Sequence, residues 1–144
     1  MAFSGNFLCT SFKAELLKGV HNFSAAGGDT FKIALYDNNA SFTAATTAYT
    51  TDNEVSGSGY TAGGGTLVNV EPSSSGTTAF VDFSDFTFSS ATITARGALI
   101  YNASAAGNPA VAVIDFGSDK AAVSSDFTIV FPTAGAGSAI VRVA

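Results

Sequence analysis

The chain has 144 residues, 47% of them hydrophobic and only 12% charged, with a formal net charge of −5, one cysteine, one histidine and no tryptophan. That length predicts one domain with its own core, and the hydrophobic share excludes disorder, which needs few apolar residues and much charge. The six basic residues (Lys13, Lys18, Lys32, Arg96, Lys120, Arg142) are nowhere adjacent, which excludes the clustered cations that nucleic acid requires.

The opening Met1–Gly5 lacks the basic and long apolar regions of a signal peptide. No apolar run approaches a membrane span. The expectation is a protein without a membrane partner, kept in a cytosol or in an assembly built there. Cys9 stands alone, so no internal disulfide or paired-cysteine zinc site can form, and it reads as a small buried apolar side chain. A charged share about half the usual one leaves hydroxyls, amides and small residues to cover the surface. Such a surface suits burial against neighbouring subunits.

Leu8, Phe12, Leu16 and Val20 recur every fourth position and predict an amphipathic helix over residues 7–20, stopped by Lys18-Gly19. After the turn Gly27-Gly28-Asp29, Phe31, Ile33 and Leu35 alternate with Lys32, Ala34 and Tyr36 as a strand, and Asp37-Asn38-Asn39 gives a turn. Residues 40–65 are rich in Thr, Ala, Ser and Gly. A structureless loop of that length is unusual in a compact domain, so pairing is expected near Ala48–Thr51 and an ordered, extended course from Glu54 to Gly63. Further strands are predicted over Thr66–Glu71 (closed by Pro72), Thr78–Phe83, Phe86–Phe88, Thr92–Asn102, Ala110–Phe116 (opened by Pro109) and Phe127–Phe131 (stopped by Pro132), with Ile140, Val141 and Val143 ending the chain. Gly97, inside the longest run, signals a bulge or the close approach of another backbone. Seven or eight short strands after one helix predict an all-β fold, an antiparallel β-sandwich with a jelly-roll connection as one option. The single domain, 1–144, divides into an N-terminal arm and helix over 1–22 and the sandwich over 30–144.

Little in the chain suits catalysis, cofactor or metal binding, and the expectation is no enzyme, no cofactor and no metal. A nucleophilic triad needs a base, and the one imidazole, His21, follows the helix as a surface or helix-end residue. Asp115-Phe116-Gly117 imitates a kinase magnesium motif without the rest of a kinase and reads as a strand end and turn. Gly57-Ser58-Gly59 and Gly63-Gly64-Gly65 lack the strand-to-helix setting and the lysine of a phosphate loop. Asp115, Asp119 and Asp126 share a region without calcium-loop spacing. Sugar stacking would fall to Tyr36, Tyr49, Tyr60 and Tyr101.

In chain order stand the Met-Ala-Phe start, the helix, Ile33–Tyr36, Asn53-Glu54-Val55-Ser56-Gly57-Ser58-Gly59-Tyr60-Thr61-Ala62-Gly63-Gly64, Ala95-Arg96-Gly97-Ala98-Leu99-Ile100-Tyr101-Asn102 and Ala110–Gly117. The sequence so read resembles the small structural proteins of tailed bacteriophages: capsid decoration or cement proteins, head fibre proteins and tail-associated proteins. The Glu-Val-Ser-Gly-x-Gly-Tyr stretch is its most specific part. The resemblance implies a capsid decoration protein on the virion surface, assembled in the host cytoplasm. Its partners would be the major capsid protein and its own copies, a homotrimer at a local three-fold, and it implies no catalytic residues. A tail-associated subunit is the alternative within the same class, and a carbohydrate-binding sandwich displayed on the virion is the alternative outside it. Residues 1–12 and 40–65 are the expected lattice-facing surface, with Phe3, Phe7 and Tyr60 as aromatic anchors unless they pack within their own domain.

Overall fold

The computed structural model describes residues 3–144; Met1 and Ala2, part of the expected lattice-facing arm, lie outside them. Among the described residues the elements are β1 (Phe7–Leu8), α1 (Thr10–Leu17), β2 (Phe31–Tyr36), β3 (Gly65–Thr66), β4 (Asn69–Ser75), β5 (Thr78–Phe83), β6 (Phe86–Asn102), β7 (Ala110–Ile129) and β8 (Val141–Val143). Every ladder is antiparallel. The strands build a five-stranded sheet, ordered β1-β7-β6-β2-β3, and a three-stranded sheet, ordered β4-β5-β8. The fold is an all-β, antiparallel arrangement of two sheets with one short helix, which is the solution open to strands that carry one apolar face each.

Phenylalanine joins the two sheets. Phe31 of β2 stacks on Phe23 with ring centroids 4.3 Å apart, and Phe83 of β5, in the other sheet, lies 5.7 Å from Phe31 and 6.2 Å from Phe23. Phe131 extends the cluster 5.7 Å beyond Phe83. Burying each such ring contributes roughly 1.5–3 kcal/mol, so this cluster fixes how the layers meet.

The helix is shorter than its spacing predicts. Phe7 and Leu8 are extended and pair with Val113 and Ala112, Cys9 N–H continues to the Val111 carbonyl at 2.9 Å, and Thr10 N–H donates to Ala44 at 2.8 Å. Backbone groups engaged with a strand and a loop are lost to a helix. Only Phe12 of the expected stripe is buried; Leu17 is 90% exposed. The stop falls where expected: Lys18 caps the helix, Gly19 adopts φ 73°, and Gly19 and Val20 N–H reach the carbonyls of Leu16 and Glu15.

Three expected strand divisions also differ. Phe86–Phe88 and Thr92–Asn102 are one strand, β6. The Thr66–Glu71 segment divides between sheets: Gly65–Thr66 pairs with β2, and Asn69–Ser75 pairs with β5. Pro72 does not end β4 but sits in a ladder slip between Val70 and Ser73, on a sheet edge that tolerates a missing N–H. Ala110–Phe116 and Phe127–Phe131 are not separate strands, because β7 runs through the polar stretch between them. Backbone pairing with β6 carries it across slips near Gly97, Ile93 and Ala91, where alternation in the sequence is lost.

His21 is buried, not at the surface. Asn102 Oδ1 accepts from the N–H groups of Ser104 and Ala105, which turns its amide nitrogen to His21 Nδ1 at 3.0 Å and to Asp29 Oδ2 at 2.8 Å. The imidazole is a core group: Asn102 meets its Nδ1, its Nε2 lies 3.5 Å from Glu15 Oε1 without a hydrogen bond, and its ring packs against Phe12, 5.0 Å away.

Phe3, expected as an interface anchor, is 1% exposed. Its ring lies 5.7 Å from Phe42 and covers Gly97, where an added Cβ would come within 2.5 Å of both Phe3 Cε1 and the Ile114 carbonyl. The bulge and the close approach that Gly97 signals are both present, since the β6–β7 register slips between Ala95 and Gly97. Phe3 therefore fastens the arm to its own sheet, and the position without a side chain makes room for it.

Phe3→Ala is expected to lower the unfolding free energy in urea by about 3–5 kcal/mol, and Gly97→Ala by about 1–3 kcal/mol. A loss under about 1 kcal/mol for Phe3→Ala would mean the arm is not part of the core. Asp82 gives a second test. It is 2% exposed, its Oδ1 accepts from Phe83 N–H at 2.9 Å, and its Oδ2 has no partner. Burial raises its carboxyl above the ordinary range, the N–H groups of Phe83 and Ile140 offset this in part, and Asp85 adds to the rise. The fold thus favours the protonated acid: that contribution is complete below the ordinary aspartate pKa of about 3.9 and is lost as pH climbs through the raised value. Asp82→Asn should melt increasingly above the parent protein from acid to neutral pH, and a constant difference would contradict this.

Candidate functional site

The segment between β2 and β3 runs along the outer edge of β2 and closes it. Asp37 N–H donates to the Asn53 carbonyl (3.0 Å), Val55 N–H to Leu35 (3.0 Å) and Leu67 N–H to Phe31 (2.9 Å), while Lys32 and Ile33 pair with Thr66 and Gly65. The outward Leu35 N–H is met by the Tyr60 hydroxyl at 2.9 Å. Pairing also reaches Ala48, which bridges to Pro109, and Glu54, which bridges to Tyr36. The expected pairing near Ala48–Thr51 and the ordered course after Glu54 are present.

One carboxylate organises this segment. Glu54 Oε2 accepts from the Tyr49 hydroxyl at 2.6 Å, and Oε1 accepts from the Tyr60 hydroxyl at 2.6 Å and from Gly63 N–H at 2.7 Å. Tyr101 donates to the Gly63 carbonyl at 2.6 Å and stacks on Tyr49 at 4.6 Å, and Tyr36 donates to the Thr50 carbonyl at 2.7 Å. These are all four tyrosines of the chain. Gly59 lets the loop lie flat on β6: its φ is 78°, and an added Cβ would come within 2.7 Å of Ala91 Cα, next to the hydrogen bond from Thr92 N–H to the Ser58 carbonyl. The phenols are held neutral. Burial raises Tyr36, Tyr49 and Tyr60 well above the ordinary range, with Glu54 next for each, and burial followed by Glu54 brings Tyr101 to about 12.

No family model, no curated protein and no solved structure matches this chain. Glu54 accepts three hydrogen bonds, two at Oε1 and one at Oε2, all from its own loop and its neighbours. What it does is hold a loop in one shape.

The three expected anchors are not brought together. Phe3 is in the core. Tyr60 is half-buried at the β2 edge, its ring 5.2 Å from Phe88 and its hydroxyl engaged internally. Phe7 is half-buried on β1, at the opposite edge of the same sheet. The broader surface does assemble: the arm meets the 40–65 segment through Thr10 and Ala44 and through Phe3 and Phe42, leaving Ser41, Thr43 and Ala45 exposed beside the junction.

Other candidates fall to structural roles. Asp115 and Asp119 lie 3.5 and 4.0 Å from the Arg96 guanidinium, Asp115 also accepts from Gly117 N–H, and Asp126 accepts from Ser90 N–H. Among the described residues no three His, Cys, Asp or Glu gather as metal ligands. Cys9 is fully buried, and burial, followed by Glu15, pushes its thiol up to about 11, which makes it a poor nucleophile. The sequence reading missed Glu54 as the organiser. Its signal was an acid within six residues of two of only four tyrosines, in a segment too long to be structureless.

Glu54→Ala should cost about 2–4 kcal/mol in chemical unfolding, because it strands two phenols and an amide. The tyrosines give an independent readout. Each is neutral in the fold with a raised pKa, so that stability is complete below the ordinary phenol value of about 10 and lost as pH rises through the folded values. Absorbance of tyrosinate should therefore appear in one step, together with loss of circular dichroism. Separate titration near pH ~10 with the fold intact would contradict the network.

Proposed function

We propose that this chain is a structural, non-enzymatic subunit of a tailed-bacteriophage virion: a capsid decoration protein that binds the lattice of the major capsid protein, as a homotrimer, and stabilises the head. The observation that carries the reading is the engagement of Glu54. The stretch Glu54–Tyr60 is the most specific part of the resemblance to phage structural proteins, and its acid and its tyrosine serve to fix a loop. A motif whose acid and tyrosine are committed to holding a shape suits a protein that works by fitting a surface.

The contiguous arm and 40–65 surface is the proposed lattice contact. It is poor in charge, so covering it costs little desolvation, and many weak copies on one shell gain strength by multivalency. The glycan-binding alternative required exposed tyrosines. Here Tyr36 and Tyr101 are buried, and Tyr49 and Tyr60 turn their hydroxyls to Glu54.

Removing residues 1–6 would take Phe3 out of the core and would confuse binding with folding. Exposed positions test the contact cleanly. Purified protein mixed with undecorated expanded capsids should add density at lattice symmetry positions by electron microscopy, and Ser41→Arg with Ala45→Arg should weaken saturable binding roughly ten-fold or more, the loss of a central contact, without lowering stability. Density confined to a tail would favour the tail-associated reading, and no virion binding would refute both.

A further inference from the structure

The edge of the five-stranded sheet opposite β2 is not closed. β1 pairs with β7 at Ala112 and Val113, and Asn6 Oδ1 accepts from Asp115 N–H at 2.7 Å, the last hydrogen bond of the arm to β7 among the described residues. Beyond it, no strand lies outside β7 among the described residues. Extra residues loop out between Asp115 and Lys120, and Ser124 has φ 47°; irregularities of this kind blunt an edge against pairing. From Ser125 to Ile129 β7 carries neither an extra residue nor a proline. Next to this stretch lies a groove of about 570 Å³, mainly apolar through Phe116, Phe127, Val130 and Phe131, with Lys120 and Asp126 also lining it. Val130 stands 74% exposed in it.

We propose that Ser125–Ile129 is a strand-addition site. An extended segment of a partner polypeptide pairs with this edge and sets alternate apolar side chains into the groove. The unpaired row of N–H and C=O groups specifies a backbone in β conformation, and the apolar groove specifies a hydrophobic residue at every second position. Charge specifies the rest. Asp115, Asp119 and Asp126 on this strand outnumber Lys120 and the Arg96 that faces the first two, and the chain as a whole carries −5. The occupant is therefore a segment with Lys or Arg at its outward positions, and a second copy of this acidic chain is disfavoured. β1 already pairs with Ala112 and Val113 on the outer side of the same strand, before the irregular stretch. That the partner is a shell subunit rests on the function proposed above; the strand addition does not.

The probe is a synthetic peptide of alternating valine and threonine with a lysine at each end, added at millimolar concentration, with amide hydrogen exchange followed by NMR. The amides of Ser125–Ile129 should slow roughly ten-fold or more, those of Phe31–Tyr36 should not change, and the effect should vanish with a peptide N-methylated at alternate residues and in Val130→Lys. Circular dichroism and urea unfolding would show that this exposed substitution leaves the fold intact. No protection, or protection that survives N-methylation, overturns the proposal. Sedimentation showing a dimer that Val130→Lys dissolves would make the occupant a second copy and overturn the assignment of a basic partner. Protein bound to expanded capsids with Ser125–Ile129 still exchanging at the free rate overturns the strand addition there and leaves decoration standing. Peptide protection without capsid binding does the reverse.

Discussion

The structure depends on the three hydrogen bonds that Glu54 accepts from Tyr49, Tyr60 and Gly63. They draw a segment of low hydrophobicity, which could not bury enough surface to order itself, against the last long strand of the sheet. A charged acceptor with three donors is stronger than neutral pairs of the same geometry, and each bond is reinforced by a neighbour: Tyr60 also serves Leu35, and Tyr101 holds the carbonyl of the same Gly63. Removing one member strands the others in a half-buried site, where an unmet polar group is expensive. The tyrosines contribute both their ring area and their hydroxyls, which explains why a chain so rich in phenylalanine keeps its four tyrosines in one place.

From that constraint follows the difference between the two edges of the large sheet. On the β2 side the carbonyls of Phe31 and Leu35 and the N–H groups of Leu35 and Asp37 have partners, and one of these is a phenol rather than a backbone. On the β7 side a two-residue strand covers the beginning and leaves the remainder open beside an apolar groove. Open edges invite pairing with other chains. A molecule that seals one edge with this much side-chain chemistry and leaves the other free has one edge at which the proposed strand addition can occur.

Much of the fold was legible because it rests on backbone alternation. β2, β5 and the second half of β6 follow the spacing of Phe31, Ile33 and Leu35, of Phe83 with Val81, and of Leu99 with Tyr101. The helix stop at Gly19 and the role of Gly97 were legible for the same reason: each is a position only a glycine suits. Where tertiary pairing overrides local pattern, the sequence misled. Phe7 and Leu8 complete a helical stripe on paper, yet β7 captures their backbone. Pro72 looks like a terminator and is an edge irregularity. The polar run between Phe116 and Phe127 has no alternation, because the pairing there is maintained through slips against β6. Composition cannot say which side of a sheet edge a ring faces: Phe3 turns inward to fill the space above Gly97, and the Tyr60 hydroxyl turns inward to reach Glu54.

The central claim is that one carboxylate keeps the β2 edge closed. Amide hydrogen exchange on the intact protein and on Glu54→Gln addresses it residue by residue. The account predicts that Leu35, Val55 and Gly63 exchange as slowly as the sheet interior in the parent protein, and that in the variant these three speed up by roughly a hundred-fold while Leu99 and Ile100 keep their rates. Equal rates at Leu35 and Val55 in both proteins would contradict it.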